Sequence, residues 1–234
     1  MTAFSDAVDA LTPLAYYRCE DTSGNLVDSS GNDSTATASA GGTASYLQPG
    51  ADGYGLKVVG TKYWDATLAS AVVDDVTMFA MIKRAATYST FGNIMSLGDD
   101  DQGGQMRLNP TTLIIEVIRA DAQHCASSTI AVPRDGRWHS VCVTKAALAA
   151  PKIYIDGADV TAVSPADGTA WASTTALKIG ARGNGSDRPL SGNGGAYIDE
   201  VWVLNAESAG ASITALDALA SNAVASGDDR RRRR

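Results

Sequence analysis

The sequence predicts an all-β fold built as a two-sheet antiparallel sandwich, with a short helix near its C-terminal end. The chain has 234 residues, which suits one large β domain, and its 23 glycines stand among many turn-forming Ser, Thr, Asn and Asp residues. Between residues 135 and 205, strand-length apolar alternations begin or end at Gly, Asp or Asn, as antiparallel strands joined by tight turns require. These alternations are DGRWHSV at 135–141, KIYIDG at 152–157, LKIGA at 177–181 and YIDEVWVL at 197–204.

The remaining elements can be assigned in order along the chain. Residues 1–11 are interpreted as an N-terminal arm or short helix, and residues 13–19 as the first strand. Residues 34–45 are small and polar, which predicts a surface loop or a weak edge strand. Further strands are predicted at 55–60, 62–66, 75–84, 91–97, 104–109, 111–119, 126–131, 137–145, 151–156, 159–163, 175–181 and 196–204.

Three segments carry more specific signals. Both alternating sets of side chains are apolar in strand 75–84, which predicts a strand covered on both faces. Asn109-Pro110-Thr111 is predicted to be a turn, because proline cannot donate a hydrogen bond within a central ladder. Apolar residues recur at helical spacing in 207–222, and residues 223–234 form a charged, arginine-rich tail.

The charge distribution bears on the choice of partners. The formal net charge is −7, but residues 228–234 hold two acids and five arginines. Without that segment, 14 basic and 24 acidic residues remain, a net charge of −10. An acidic body repels nucleic acid and anionic membrane surfaces, so neither is an expected partner.

The three cysteines do not suggest a disulfide framework or a zinc site. Cys19, Cys125 and Cys142 are an odd number and contain no Cys-x-x-Cys pair. We therefore expect buried free thiols on strands, although one disulfide between an unassigned pair stays open.

The four alternations, in their fixed order, resemble the second half of a laminin-G-like, concanavalin A-like jelly roll. The opening YYRCEDTSGNLVDSSGND also resembles this family, so the similarity extends over most of the chain. The resemblance implies a jelly-roll domain at 12–222 between the arm at 1–11 and the tail at 223–234. It further implies a binding or structural module.

Catalytic patterns are absent from the sequence. A retaining glycosidase needs two carboxylates about 5 Å apart, and the related glucanases place them as Glu-x-Asp-x-x-Glu. None of the four glutamates matches that spacing, and no nucleophile elbow accompanies the two histidines. The chain is therefore predicted not to be an enzyme. The glutamates are Glu20, Glu116, Glu200 and Glu207, and the histidines are His124 and His139.

Calcium is a possible cofactor. Laminin-G-like domains that bind calcium often supply an aspartate from a hairpin at the rim, and the resemblance points to Asp99, Asp100 and Asp101 as the best candidate ligands there. An alternative is a structural calcium between Glu20 or Asp21 and Asp199. A solvated acidic turn is favoured over a calcium site as the explanation of the three aspartates.

Two other candidate binding features remain. Trp171 and Tyr88 lie in loop-like segments and are the expected exposed aromatics for stacking on a sugar. Trp138 and Trp202 lie in strand patterns and are expected in the core. The terminal arginines could bind an acidic groove on another subunit, or form a solvated end. They are Arg230, Arg231, Arg232, Arg233 and Arg234.

The N-terminal segment has acids where a signal peptide has a basic start, although laminin-G-like domains mostly act outside cells. A bacteriophage virion protein reconciles these observations, because lysis releases it from the host. The preferred hypothesis is thus a non-enzymatic capsid-decoration or tail-associated protein that contacts other virion proteins or copies of itself. The alternative is a carbohydrate-binding or adhesion module that contacts a bacterial surface glycan.

Overall fold

Fifteen strands and two helices make up the described parts of a computed structural model of the protein. The structure describes residues 2–73, 75–84, 91–98, 103–119, 123–162, 171–183, 190 and 195–220. The helices are α1 (Ala3–Asp9) and α2 (210–220). The strands are β1 (Ala15–Tyr17), β2 (Thr37–Ala38), β3 (Thr43–Pro49), β4 (Tyr54–Val59), β5 (Trp64–Val72), β6 (Val76–Arg84), β7 (Gly92–Leu97), β8 (Gly104–Leu108), β9 (Ile114–Arg119), β10 (Gln123–Ala131), β11 (His139–Lys145), β12 (Lys152–Ile155), β13 (Ala158–Asp159), β14 (Thr174–Ile179) and β15 (Ala196–Leu204).

The strands form two antiparallel sheets, so the predicted jelly-roll sandwich is confirmed. One sheet has eight strands in the order β13-β12-β11-β6-β15-β4-β3, with β1 paired to β15. The other has seven strands in the order β10-β9-β8-β7-β14-β5-β2. Strands distant in sequence are neighbours in both sheets, as in β6–β15 and β7–β14.

The main core lies between the sheets because side chains alternate along each strand. In β6, Met78, Ala80 and Ile82 point inward and are buried. Trp64 from β5 and Leu56 from β4 join them in one apolar cluster.

A second core covers the outer face of the eight-stranded sheet. Phe79 and Trp202 stack there with their ring centroids 5.0 Å apart, and Phe4 of α1 packs against Phe79. Helix α2 contributes Ile213 and Leu216 to the same cluster. Strand β6 is therefore covered on both faces, as predicted.

Side-chain hydrogen bonds fix both helices to this sheet. Thr2 caps α1 by accepting from the Ser5 backbone N–H, and its hydroxyl also bonds Asp52. In α2, the Thr214 hydroxyl donates to the Gly157 carbonyl at 2.8 Å. The orientation of both helices is thus set by polar contacts at the edge of the second core.

Two local predictions are refined by the structure. Residues 43–49 form an edge strand of the eight-stranded sheet, because Ala44 and Tyr46 pack against the main core. The predicted turn at residues 109–111 is present, and the Asn109 side chain accepts hydrogen bonds from the Thr111 and Thr112 N–H groups. All three cysteines are buried and form no disulfide, as expected.

Candidate functional site

The outer face of the seven-stranded sheet carries two adjacent rows of polar side chains. In the first row, Asn93 of β7 is opposite Arg107 of β8, which is opposite Glu116 of β9. In the second, Ser96 of β7 is opposite Gln105 of β8. Their neighbours along each strand point into the main core, so these residues face outward. We call these five residues the polar rows.

A buried ion pair organises the first row. The Arg107 guanidinium contacts Glu116 Oε2 through both Nε and Nη2, each at 2.8 Å. The second Glu116 oxygen accepts from Asn109 Nδ2 at 2.8 Å. The Phe91 ring lies 4.0 Å from Arg107 Cζ. The carboxylate is thus engaged at both oxygens, and the guanidinium lies over an aromatic ring.

Two amide side chains of the polar rows lack hydrogen-bond partners among the described residues. Asn93 is 0% exposed, and neither its amide nitrogen nor its oxygen has a hydrogen-bond partner among the described residues. Gln105 is 4% exposed, and its Oε1 likewise has no partner in the described part of the chain. A buried polar group without a partner costs about 1–3 kcal/mol. Unpartnered buried amides in a native structure call for an explanation, and a bound molecule that contacts them is one.

A half-exposed cluster flanks the polar rows. Lys178 of β14 is opposite Ser96 on one side and Asp65 of β5 on the other, and its ammonium donates to the Asp65 carboxylate. The same ammonium lies 5.3 Å from the centroid of the Tyr63 ring. Planar polar groups, an aromatic ring and a charged pair thus lie side by side on one face.

The opposite sheet holds a buried acid pair whose role is structural. Asp199 and Glu200 form a bulge in β15 and are both 0% exposed. Burial raises the pKa of Asp199 well above its usual range, and the N–H groups of Ala51, Asp52 and Glu200 offset this only in part. Burial and the neighbouring Asp199 raise the pKa of Glu200 in the same way.

Three backbone N–H groups directed at the Asp199 carboxylate disfavour a cation there. In the described residues, no three His, Cys, Asp or Glu side chains are placed to hold a metal ion. Glu20 instead pairs with Arg18 at 3.3 Å, and Asp21 accepts from the Val27 N–H. These contacts do not fit the alternative calcium site between Glu20 or Asp21 and Asp199.

His139 is held between two carboxylates. Its Nδ1 lies 2.8 Å from Asp156 Oδ2 and its Nε2 lies 2.9 Å from Asp135 Oδ1. Both ring nitrogens face acceptors, which requires the doubly protonated ring. Burial of the ring opposes the charged form, but the bonds to Asp156 and Asp135 outweigh it, so the pKa of His139 is raised. His139 therefore links the start of β11 to Asp135 before it and to Asp156 in the turn after β12.

Comparison with known proteins places this geometry in a family. The model of the concanavalin A-like lectin/glucanases superfamily, in its laminin-G form, matches residues 59–214, which is more than half of the chain. The chain belongs to this superfamily. No curated protein sequence matches it.

Solved structures give the same architecture. The binding domain of botulinum neurotoxin serotype D is 14% identical with a TM-score of 0.65, covering 89% of this chain and 52% of that one. A structure of botulinum neurotoxin type C, which interacts with two ganglioside molecules, is 13% identical with a TM-score of 0.65. The match covers 91% of this chain and 53% of that one. The chain thus spans about half the length of these structures. At such identities the similarity shows that the jelly roll is shared.

The predicted exposure of Trp171 is wrong. Its side chain is 4% exposed and belongs to the main core of this superfamily member. The ring lies against Gly104, where an added Cβ would be 2.2 Å from it, so the glycine makes room for the indole. The Lys145 ammonium lies 5.7 Å from the same ring. Trp171 is therefore a core residue and offers no surface for a sugar.

The other predicted site residues lie outside the described residues. This applies to Tyr88 as a sugar-stacking aromatic, to the rim calcium ligands and to the arginine tail. Calcium binding at the rim and partner binding by the tail stay predictions. The residues concerned are Tyr88, Asp99, Asp100, Asp101, Arg230, Arg231, Arg232, Arg233 and Arg234.

The polar rows were not identified from the sequence, although a signal was present. Strand β8 reads GQMRL, in which Gln105 and Arg107 alternate with core residues. A polar set in a central strand, where burial is expected, indicates either an internal network or a binding face. Neither helix in the described part of the chain has the length and apolar composition needed to cross a membrane.

Proposed function

We propose that this chain is a non-catalytic carbohydrate-binding module whose glycan lies against the polar rows. The observation that carries the proposal is the set of unpartnered buried amides at Asn93 and Gln105, beside the ion pair of Arg107 with Glu116. Sugar hydroxyls both donate and accept hydrogen bonds, so they complement amide groups. Phe91 and Tyr63 supply aromatic surface at the sides, against which a sugar ring can pack.

Membership of a superfamily of lectins and glucanases supports a glycan as the class of ligand. Botulinum neurotoxin type C interacts with two ganglioside molecules, and the binding domain of botulinum neurotoxin DC forms a complex with SialylT. The carbohydrate-binding alternative is therefore preferred here to the virion hypothesis. A place in a capsid or tail, and assembly into a homo-oligomer, stay predictions.

The placement of the acids on this face supports a binding role without hydrolysis. Glu116 on β9 and Asp65 on β5 are separated by four strand spacings, about 19 Å. Glycosidases place their two carboxyl groups roughly 5–9.5 Å apart. Each carboxylate is also bound to a cation, Glu116 to Arg107 and Asp65 to Lys178. Neither carboxylate is therefore free for hydrolytic chemistry on this face.

The experiment is binding of the full chain to an array of neutral and sialylated oligosaccharides. We expect at least one glycan class to bind, and Asn93→Leu or Gln105→Leu to weaken binding about tenfold through lost hydrogen bonds. Thr67→Ala, an exposed position on the same face, is the matched control and should bind normally. Two outcomes would contradict the proposal: a folded parent chain that binds no glycan, or an Asn93→Leu variant that binds as well as the parent. Release of reducing sugar would contradict its non-catalytic part.

A further inference from the structure

One end of the eight-stranded sheet carries a row of alternating aromatic and lysine side chains. Lys83 of β6 is opposite Tyr197 of β15, which is opposite Lys57 of β4. Trp138 precedes His139, whose partner is Ile82, so Trp138 lies beside Lys83. We call Trp138, Lys83, Tyr197 and Lys57 the aromatic–lysine row.

The row faces outward at the end of the helix-covered face, and Trp138 packs against the second core. The strand neighbours Ile82, Ile198 and Leu56 point into the main core, so the row is on the opposite face. Helices α1 and α2 cover that face farther along the strands, over Phe79 and Trp202. All four side chains of the row are partly exposed.

The four side chains are held in contact with one another. The Lys83 ammonium lies 4.2 Å from the Tyr197 ring centroid and 5.3 Å from that of Trp138. The Lys57 ammonium lies 5.8 Å from the Tyr197 centroid. The two rings meet edge to face, with centroids 6.3 Å apart and planes at 79°. Cation–π contacts of this kind restrict the lysine side chains before any ligand arrives.

The charge of the row contrasts with the rest of the protein. The chain has a net charge of −7, yet two lysines lie here within two strand spacings, about 10 Å. In the described part of the chain, Lys57 takes part in no ion pair. The row therefore combines positive charge with aromatic surface on an otherwise acidic molecule.

We propose that the aromatic–lysine row is a second binding site, selective for an acidic polysaccharide. The carboxylate or sulfate groups of such a chain would contact Lys83 and Lys57, while the apolar face of a sugar ring packs on Trp138 or Tyr197. The lysine spacing suits acidic groups on neighbouring sugars. Double-stranded DNA fits less well, because it carries one charge per about 1.7 Å of its axis, whereas the two lysines are two strand spacings apart, about 10 Å. This site is independent of the polar rows on the other sheet.

The test measures binding of the full chain to heparin, polygalacturonate, dextran and double-stranded DNA at low ionic strength. We expect binding to heparin, to polygalacturonate or to both, with no binding to dextran. A preference for heparin would assign sulfate as the recognised group, and one for polygalacturonate would assign carboxylate. Salt should weaken the interaction.

Variants separate the row from general charge effects. Lys57→Gln and Tyr197→Leu should each weaken binding about fivefold. Lys152→Gln, the same change at an exposed position on β12, should leave binding unchanged. Asn93→Leu should also leave it unchanged, which distinguishes this site from the polar rows. Absence of binding to both acidic polysaccharides, stronger binding to DNA, or an equal loss in Lys152→Gln would overturn the proposal.

Discussion

Two equally buried polar side chains, one on the outer side of each sheet, differ in their hydrogen bonds. On the eight-stranded sheet, Asp199 uses both carboxylate oxygens to accept backbone N–H groups beneath the loop that follows β3. On the seven-stranded sheet, Asn93 is equally buried, but its amide has no partner among the described residues. The first arrangement stabilises the fold. The second leaves hydrogen-bonding capacity available, which is why we place the ligand there.

The aromatic residues show the same contrast within one sheet. Trp202 is fully buried and stacks on Phe79 beneath α1, so its contribution is to packing. Trp138 is partly exposed at the end of the same face, where a lysine ammonium lies over its ring. Exposure therefore separates the two, because Trp202 is fully buried, whereas Trp138 packs against the second core but keeps part of its ring exposed to a ligand.

The largest expected effect tests this separation on the helix-covered face. Trp202→Ala removes a fully buried ring and should lower the free energy of unfolding by about 3–5 kcal/mol. Trp138→Ala, at the exposed end, should cost far less. Urea denaturation monitored by circular dichroism measures both. Equal losses for the two variants would show that the exposed end is part of the core.

Most of the architecture could be predicted because it depends on local patterns. The turn after β12 follows from its Asp-Gly pair, since Asp156 and Gly157 both adopt positive φ, as a tight hairpin turn requires. The apolar run of β6 likewise predicted two covered faces. Such features are encoded within a few residues of one another.

The candidate site could not be predicted, because it depends on register between strands distant in sequence. Asn93, Arg107 and Glu116 become neighbours only through the pairing of β7, β8 and β9. Tyr197 meets Lys57 across a separation of 140 positions for the same reason. Trp171 was misassigned because its loop-like sequence gives no sign that Gly104 leaves space for its ring.

The next-largest expected effect is a difference in stability between variants of two asparagines near the outer face of the seven-stranded sheet. Asn109→Leu should destabilise the protein by about 1–3 kcal/mol, because its side chain bonds Glu116 and caps the turn before β9. Asn93→Leu removes a buried amide that has no hydrogen-bond partner among the described residues, so the melting temperature should be unchanged or higher. Thermal denaturation of both variants decides the matter. A strong loss in Asn93→Leu would mean that its amide is needed by the fold.

The smallest expected effect is a fall in stability as the pH rises from about 5 to 8. The folded-state pKa of His139 is raised, so its contribution is complete below its unfolded pKa of about 6.5 and is lost as the pH rises through the folded value. The raised pKa values of Asp199 and Glu200 act in the same direction, since the folded state retains protons that the unfolded chain releases.

Melting temperatures measured across this range should therefore decline towards pH 8. His139→Gln should flatten the decline above about pH 6.5, and Glu200→Gln should flatten it at lower pH. Asp135 has a lowered pKa through its bond to His139, so its own contribution is lost only below this window. A stability that rises towards pH 8 would show that His139 is neutral between its two carboxylates.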